Sequence, residues 1–480
     1  MRVSEIIKSL PFAVKHNGSD PDIKNVTLNS RQVRPGYLFA AILGSVADGR
    51  DYINDALKRG AVAVVSEQPA SGCDCQLIVA DAHLAFARIA AVLNDNPSHK
   101  LNVVGITGTN GKTTAAYMMR DVLRFSGNEV GLISTIAYEI GGRTIAASRT
   151  TPDAATVQDL LRQMVSIKCK SAVMEVSSHS LMQQRTAGVD FDVALFTNLT
   201  HEHLDYHKTM NAYYEAKARL FRSLKASATA VINVDDEWGV RLMGESLPCK
   251  KLSYSVIGGD VVAEDVVVDR CGCRFVAKTP WGSQSCSLQL LGRHNVANAL
   301  ACIAASGVLG IDMAVVSEGL QQIKNVRGRL EPLICGQRFG VYVDYAHTGD
   351  ALDHALATVR EITDGRLIVV FGCGGDRDKG KRPIMGRLAS TMADVVVVTS
   401  DNPRSENPAA IIEEIINGVD NQQAKVEVVE DRRDAIICAI KMAENGDSVL
   451  IAGKGHEAYQ ESQGRMTPFD DRRVARECLL

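Results

Sequence analysis

The stretch Gly105-Ile-Thr-Gly108-Thr109-Asn110-Gly111-Lys112-Thr113-Thr114 carries the clearest chemical signal in the chain. It follows the apolar run NVVGIT and precedes TTAAYMMRDVLRFSG, which reads as a helix. Glycines let backbone N–H groups close on phosphate oxygens, and a helix N-terminus adds partial positive charge. In such a loop Lys112 reaches the β- and γ-phosphates and Thr113 holds Mg²⁺. Ile106 stands where the first glycine of the plain G-x₄-G-K-T pattern belongs. The loop implies nucleotide binding and leaves the reaction open.

Three further positions narrow the chemistry. Glu175 ends the strand-like run SAVMEV, and His203 follows DVALFTN. Strand ends of one sheet converge, so the two can share a metal ion with the phosphates. Mg²⁺ prefers oxygen ligands and keeps waters, which makes a lone imidazole unusual. Zinc would need three or four converging ligands. Lys217 lies in NAYYEAKARLFRSL, a predicted helix with Asn211 as its N-cap. Tyr213, Tyr214, Leu220, Phe221 and Leu224 surround it at helical spacing. Lys217 is then either a lysine whose ammonium snorkels to water or a desolvated amine of lowered pKa. A neutral amine captures CO₂ as a carbamate, an anion able to bind a second Mg²⁺.

These residues need a scaffold of α/β type. The chain has 480 residues, 46% hydrophobic and 23% charged, which excludes a disordered or fibrous chain. Lys and Arg number 53 and Asp and Glu 56, a net charge of −3, so there is no basic excess for nucleic acid. No apolar run suggests a membrane span, and no signal-peptide core is visible at the N-terminus, so a cytoplasmic protein is expected. Three blocks are predicted: 1–88, 89–326 and 327–480. The first mixes short strands with helices, and residues 89–99 read as a helix running into a turn-rich break. The second alternates strands and helices around a parallel sheet, with a small antiparallel patch at 260–290. The third has five strands, each ending in a polar or glycine-rich tip, among them DYAHTGD, GCGGDRDKGKRP, SDNPRSE and GKGHEAY. Ligands of open α/β sheets bind at the carboxyl ends of strands, so these tips imply one crevice.

The sequence resembles the Mur ligases, the ATP-dependent amide-forming enzymes of peptidoglycan synthesis. The resembling segments are Gly108–Thr114, Glu175-Val-Ser-Ser-His179, His203-Leu-Asp-Tyr-His207, Lys217, Gly292-Arg-His-Asn-Val-Ala-Asn298, Gly328-Arg329, Asp344-Tyr-Ala-His347 and Gly453-Lys-Gly-His-Glu457. They occur in the family's order over nearly the whole chain. Within the family, the resemblance is to the ligases that add the third residue of the stem peptide. It implies an N-terminal UDP-binding domain, a central ATPase domain and a C-terminal Rossmann-like domain, working as a monomer. It also implies that ATP phosphorylates the D-Glu γ-carboxylate of UDP-MurNAc-L-Ala-D-Glu, and that a diamino acid then attacks the acyl phosphate. Carried over by position, Lys112, Lys217 and His203 are catalytic. Gly108, Thr109, Asn110, Gly111, Lys112, Thr113, Thr114, Asn298, Arg329 and Asp344 bind ATP. Thr113, Glu175, His203 and Lys217, as a carbamate, hold Mg²⁺. Leu28, Ser30, Ser45, Val46, Ala47, Thr150, Thr151, Ser177, Gln183 and Arg185 bind the muramoyl dipeptide. Ser45-Val46 replaces a His-Gln of some relatives, and Gly349 stands where many have Pro.

Asp401-Asn402-Pro403-Arg404 bears on the amino acid. An arginine at a strand tip suits a carboxylate, whereas Asn-Pro alone favours a plain turn. In the family this tetrapeptide marks the enzymes adding meso-diaminopimelate, whose second carboxylate lysine lacks. Arg377, Gly453 and Glu457 match further contacts to that substrate. Three rivals remain: a lysine-adding ligase, disfavoured by Arg404; a folylpolyglutamate synthase-like ligase, which leaves the N-terminal LNSRQVRPGYLFAA unexplained; and a nucleotide-dependent binding module without turnover.

Overall fold

The computed structural model describes residues 1–44, 47–420 and 424–480. Among them the strands form sheets of five, eleven and six strands and a two-stranded ribbon. The first sheet runs in the order Lys15–Gly18, Cys75–Ile78, Ala61–Ser66, Tyr37–Ala40, Asn25–Thr27. Only its first pair is antiparallel. Helix Ala82–Leu93 packs against this sheet and is capped by the Asp81 side chain. It begins before the expected boundary at residue 88 and ends at Leu93, and the turn Pro97–Lys100 then forms the turn-rich break expected after it. The reason is local: Asp81 offers a cap well before residue 89.

At the centre of the eleven-stranded sheet the phosphate-loop strand Asn102–Thr107 lies between Ser171–Glu175 and Val193–Phe196, all parallel. The register pairs Glu175 with Ile106 and Phe196 with Thr107. The carboxylate and the loop thus leave the sheet at one edge. The expected antiparallel patch is present as Val261–Asp269, Gly272–Thr279 and Gly282–Leu288. It continues the main sheet through a parallel pairing of Tyr254 with Val261. The opposite edge carries two strands that the sequence reading missed, Ala137–Ile140 and Arg143–Ala146.

The third sheet has the order Glu331–Pro332, Gly340–Asp344, Ser448–Ala452, Leu367–Phe371, Val395–Val398, Lys425–Val428. Its five longer strands are parallel, and all but the edge strand Lys425–Val428 are apolar at their centres and covered by helices on both faces. Leu367–Phe371 and Val395–Val398 are neighbours, so the loops holding Arg377 and Arg404 leave the sheet side by side. Helix Gly349–Glu361 starts at Gly349 with Thr348 as its cap. No helix among the described residues is long and apolar enough to cross a membrane.

Candidate active site

The phosphate loop is shaped by two glycines. Gly111 has φ +82°, and a Cβ there would lie 2.4 Å from Asn298 Oδ1. A Cβ on Gly108 would lie 1.8 Å from Thr197 Oγ1. Larger residues would open the cradle. Lys112 folds back over the loop, donating to Gly108 O (2.9 Å) and Thr109 O (2.7 Å). Thr113 Oγ1 donates to Glu175 Oε2 (3.0 Å) and accepts from Arg329 Nη2 (3.1 Å). Glu175 Oε1 accepts from Thr135 N at 2.9 Å. Arg329 Nε is buried without a partner among the described residues. Asn298, Arg329 and Asp344 line a cavity of about 430 Å³ together with Asn110, Gly111 and Thr114. Asp344 accepts from Leu330 N and Ala346 N, both at 2.7 Å, and burial pushes its carboxyl up. A cavity beside a glycine cradle, with a spare guanidinium N–H, fits a nucleoside triphosphate.

Lys217 sits in helix Met210–Arg222, capped by Thr209 rather than Asn211. Asn211 instead accepts from Arg241 Nη1 at 2.7 Å. The snorkelling alternative fails, because Lys217 is only 1% exposed. Its ammonium donates to Gly108 O at 2.6 Å and lies 4.6 Å from the Tyr213 ring centre. Burial and the nearby Lys112 charge hold its pKa well below the usual lysine value. Thr113, Glu175, His203 and Lys217 line one small cavity of about 180 Å³. Burial pulls His203 down to about 4, against the raising effect of Glu202. Among the described residues no three His, Cys, Asp or Glu side chains form a metal cage. A cation here would draw on phosphate and water oxygens, which suits Mg²⁺ better than zinc.

Glu202 escaped the sequence reading. It lies 3.7 Å from His203 Nε2 and 3.6 Å from His347 Nε2. Burial alone would raise its carboxyl. Contact with His347 and the charges of His203 and Lys112 outweigh burial and hold it well below the carboxylate range. Asp350 was also missed. Its Oδ2 accepts from Asn110 Nδ2 (2.5 Å) and Thr200 Oγ1 (3.0 Å), so the third sheet's first helix touches the phosphate loop.

The strand tips of the third sheet wall a cavity of about 910 Å³. Arg377, Asp401, Asn402, Arg404, Gly453 and Glu457 all line it. Pro403 is buried behind them, with its carbonyl against Gly375. Arg404 has φ +52°. Its N donates to Glu461 O (3.0 Å), and its O accepts from Gln463 N (2.6 Å). These bonds to the ribbon Tyr459–Ser462 and Arg465–Pro468 hold the strained backbone. Its guanidinium donates to Gly375 O at 2.7 Å and lies 3.3 Å from Glu461 Oε2. Asp401 Oδ2 is buried without a partner among the described residues. Glu202, His203, Tyr345, His347 and Thr348 line both this cavity and the small one at the phosphate loop.

The expected dipeptide residues of the second block also cluster. Thr151 Oγ1 donates to Glu175 O (2.8 Å) and accepts from Ser177 N (3.1 Å). Arg185 Nη1 donates to Thr151 O (2.8 Å) and Nη2 to Gln183 Oε1 (2.6 Å). Thr150 accepts from Thr135 Oγ1 at 3.0 Å. Leu28, Ser30 and Ala47 stay apart with the first sheet and line none of these three cavities. Ser45 and Val46 lie outside the described residues.

Comparison with known proteins agrees with this arrangement. Three family models match: "Mur ligase family, catalytic domain" over residues 22–96, "Mur ligase middle domain" over 106–306, and "Mur ligase, glutamate ligase domain" over 328–455. A UDP-N-acetylmuramoyl-L-alanyl-D-glutamate–2,6-diaminopimelate ligase of Caldanaerobacter subterraneus is 42% identical, covering 100% of this chain and 99% of that protein. The ligase of the same name from Geobacter metallireducens is 44% identical over 94% of this chain and 93% of its own. A solved structure of a ligase of this name superposes with a TM-score of 0.70 at 33% identity, covering 95% of this chain and 94% of the other. With three matched segments spanning most of its length and full-length relatives at this identity, the chain belongs to the Mur ligase family.

Proposed function

We propose that this enzyme joins meso-diaminopimelate to the D-Glu γ-carboxylate of UDP-MurNAc-L-Ala-D-Glu at the expense of ATP, in peptidoglycan synthesis. The observation that carries the reading is the line of three cavities. The nucleotide cavity shares Asn110, Gly111, Thr114 and Arg329 with the phosphate-loop cavity, which shares its far wall with the cavity of Arg377 and Arg404. Phosphoryl donor, carboxylate and incoming amine can therefore meet in one place. A carboxylate is a poor electrophile, and a phosphoryl group turns its oxygen into a leaving group. ATP transfers its γ-phosphoryl group to the carboxylate and leaves as ADP. The amine of the diamino acid attacks the acyl carbon, loses a proton, and phosphate departs. No protein nucleophile is required, so positioning and electrostatics supply the catalysis.

Lys112, Arg329 and the loop N–H groups hold the phosphates. Thr113, Glu175 and His203 would hold Mg²⁺, which neutralises charge on the transferring group. Lys217 is assigned to carbamate formation: its buried neutral amine adds to CO₂, loses a proton and becomes an anion facing the same small cavity. Thr150, Thr151, Ser177, Gln183 and Arg185 are assigned to the muramoyl dipeptide, with Leu28, Ser30 and Ala47 toward its uridine end. The guanidinium of Arg404, with Arg377 beside it, takes the distal carboxylate of meso-diaminopimelate. Asp401 and Glu457 take the distal ammonium. The reaction is placed in the cytoplasm, where ATP is supplied. One chain walls all three cavities, so the enzyme is assigned as a monomer.

The test is ADP release with UDP-MurNAc-L-Ala-D-Glu and a panel of diamino acids. meso-Diaminopimelate should be strongly preferred over L-lysine. Arg404→Ala should lower kcat/KM for meso-diaminopimelate on the order of 10²-fold, the scale of a lost charge-assisted pair, with ATP affinity unchanged. Equal use of L-lysine by the wild type would overturn the assignment.

A further inference from the structure

Lys454 follows strand Ser448–Ala452 and has 0% of its surface exposed. Lysine is rarely buried outright without a partner for its charge. Here the ammonium donates to Asn402 Oδ1 and to Glu457 Oε2, both at 2.9 Å. Asn402 Nδ2 donates to the same Glu457 oxygen at 2.9 Å, which closes a ring of three side chains. Asn402 Oδ1 also accepts from Glu461 N at 3.0 Å, tying the ring to the ribbon that pins Arg404. Asn402 and Glu457 line the 910 Å³ cavity; Lys454 lies beneath them and does not. Among the described residues, both hydrogen bonds to the Glu457 carboxylate land on Oε2. Oε1 is left for a ligand.

We propose that Lys454 is a positioning residue that sets amino-acid specificity: from beneath the cavity floor it anchors Glu457 and Asn402, so that Glu457 presents one oxygen to the substrate's distal ammonium. This rests on the reading of the cavity as a diamino-acid site. The physical need is plain. Arg377 and Arg404 line the same cavity as Glu457. A carboxylate without its own cation would turn toward those guanidinium groups and occupy the charge meant for the substrate's carboxylate. Lys454 holds Glu457 back, so the cavity keeps an anionic and a cationic wall for a zwitterionic end group. Preorganised charges of this kind discriminate because an analogue lacking the partner group leaves them unpaired.

The experiment compares meso-diaminopimelate with 2-aminopimelate, which keeps the distal carboxylate and lacks the distal amine. Wild-type enzyme, Lys454→Met, Glu457→Gln and the double variant are assayed by ADP release. Lys454→Met should raise KM for meso-diaminopimelate at least tenfold, with KM for ATP and for the muramoyl dipeptide within twofold. It should also lower the preference for meso-diaminopimelate over 2-aminopimelate at least tenfold, a ratio that general loosening of the fold would not move. If Lys454→Met does not fold, the double variant, which removes both charges of the pair, decides. Its ratio should match that of Glu457→Gln within twofold, because Lys454 acts through Glu457. A further tenfold fall in the double variant, or an unchanged ratio in Lys454→Met, would overturn the inference. A wild-type enzyme that prefers neither compound would instead overturn the reading of the cavity.

Discussion

Lys112 and Lys217 both donate to the carbonyl of Gly108. Burial lowers both amines, and the neighbouring Lys112 charge lowers the deeper one further. That amine is Lys217, and its neutral form is the one able to take up CO₂. Lys217→Ala should lose most activity, at least 10²-fold in kcat, and regain part of it with added short carboxylates. ADP release with and without formate checks this. A fully active Lys217→Arg would show a cationic role instead. The position was half legible in the sequence. The aromatic and aliphatic residues around Lys217 place it on an apolar stripe, but helical spacing cannot tell a snorkelling lysine from a buried one. The 1% exposure and the Gly108 contact decide that, and both depend on strands far away in the chain. Glu202 was illegible for a related reason: one of its two imidazole neighbours, His347, arrives from a different sheet.

Elements with a strong local signal were readable, and those defined by their neighbours were not. Four of the five parallel strands of the third sheet are apolar runs, and their polar tips converge on one cavity as the pattern implied, whereas the tip Glu430-Asp-Arg-Arg-Asp-Ala435 after Lys425–Val428 does not line it. Arg143–Ala146 is a mostly exposed edge strand without inside-outside alternation, so periodicity had nothing to register. The short helix Leu204–His207 shows how an element converts packing into pH dependence. Its last residue, His207, is buried, bonds to Ser178 Oγ at 2.9 Å and stacks on Tyr213 from the next helix. Burial holds its pKa near 4 in the fold, whereas the unfolded chain titrates near 6.5. Between those values the unfolded state binds the extra proton, so acidification favours unfolding. The melting temperature should therefore fall as pH drops from about 6.5 toward 4. His207→Gln should flatten that slope in calorimetric scans. An unchanged slope would show that other groups govern acid stability.

At the scale of the whole molecule, the central and C-terminal sheets are joined directly across the reaction space. Arg329 bonds to Thr113, and Asp350 bonds to Asn110 and Thr200. Each bond takes one partner from the phosphate-loop side and one from the third block. A nucleotide in the cavity between them would touch both sheets, Asn110 and Thr114 on one side and Arg329, Asp344 and His354 on the other, so its release is expected to be coupled to their parting. Parting drags large bodies through solvent, while phosphoryl transfer and amide formation do not. Turnover should then slow in sucrose or glycerol in step with viscosity. Asp350→Ala, which cuts the ties to Asn110 and Thr200, should release ADP faster and show a weaker dependence, read by stopped-flow of a fluorescent nucleotide. A kcat insensitive to viscosity would place the slow step in bond-making instead. On this view, the two hydrogen bonds of Asp350 act as a clock: they set how long spent nucleotide stays behind before the next round can begin.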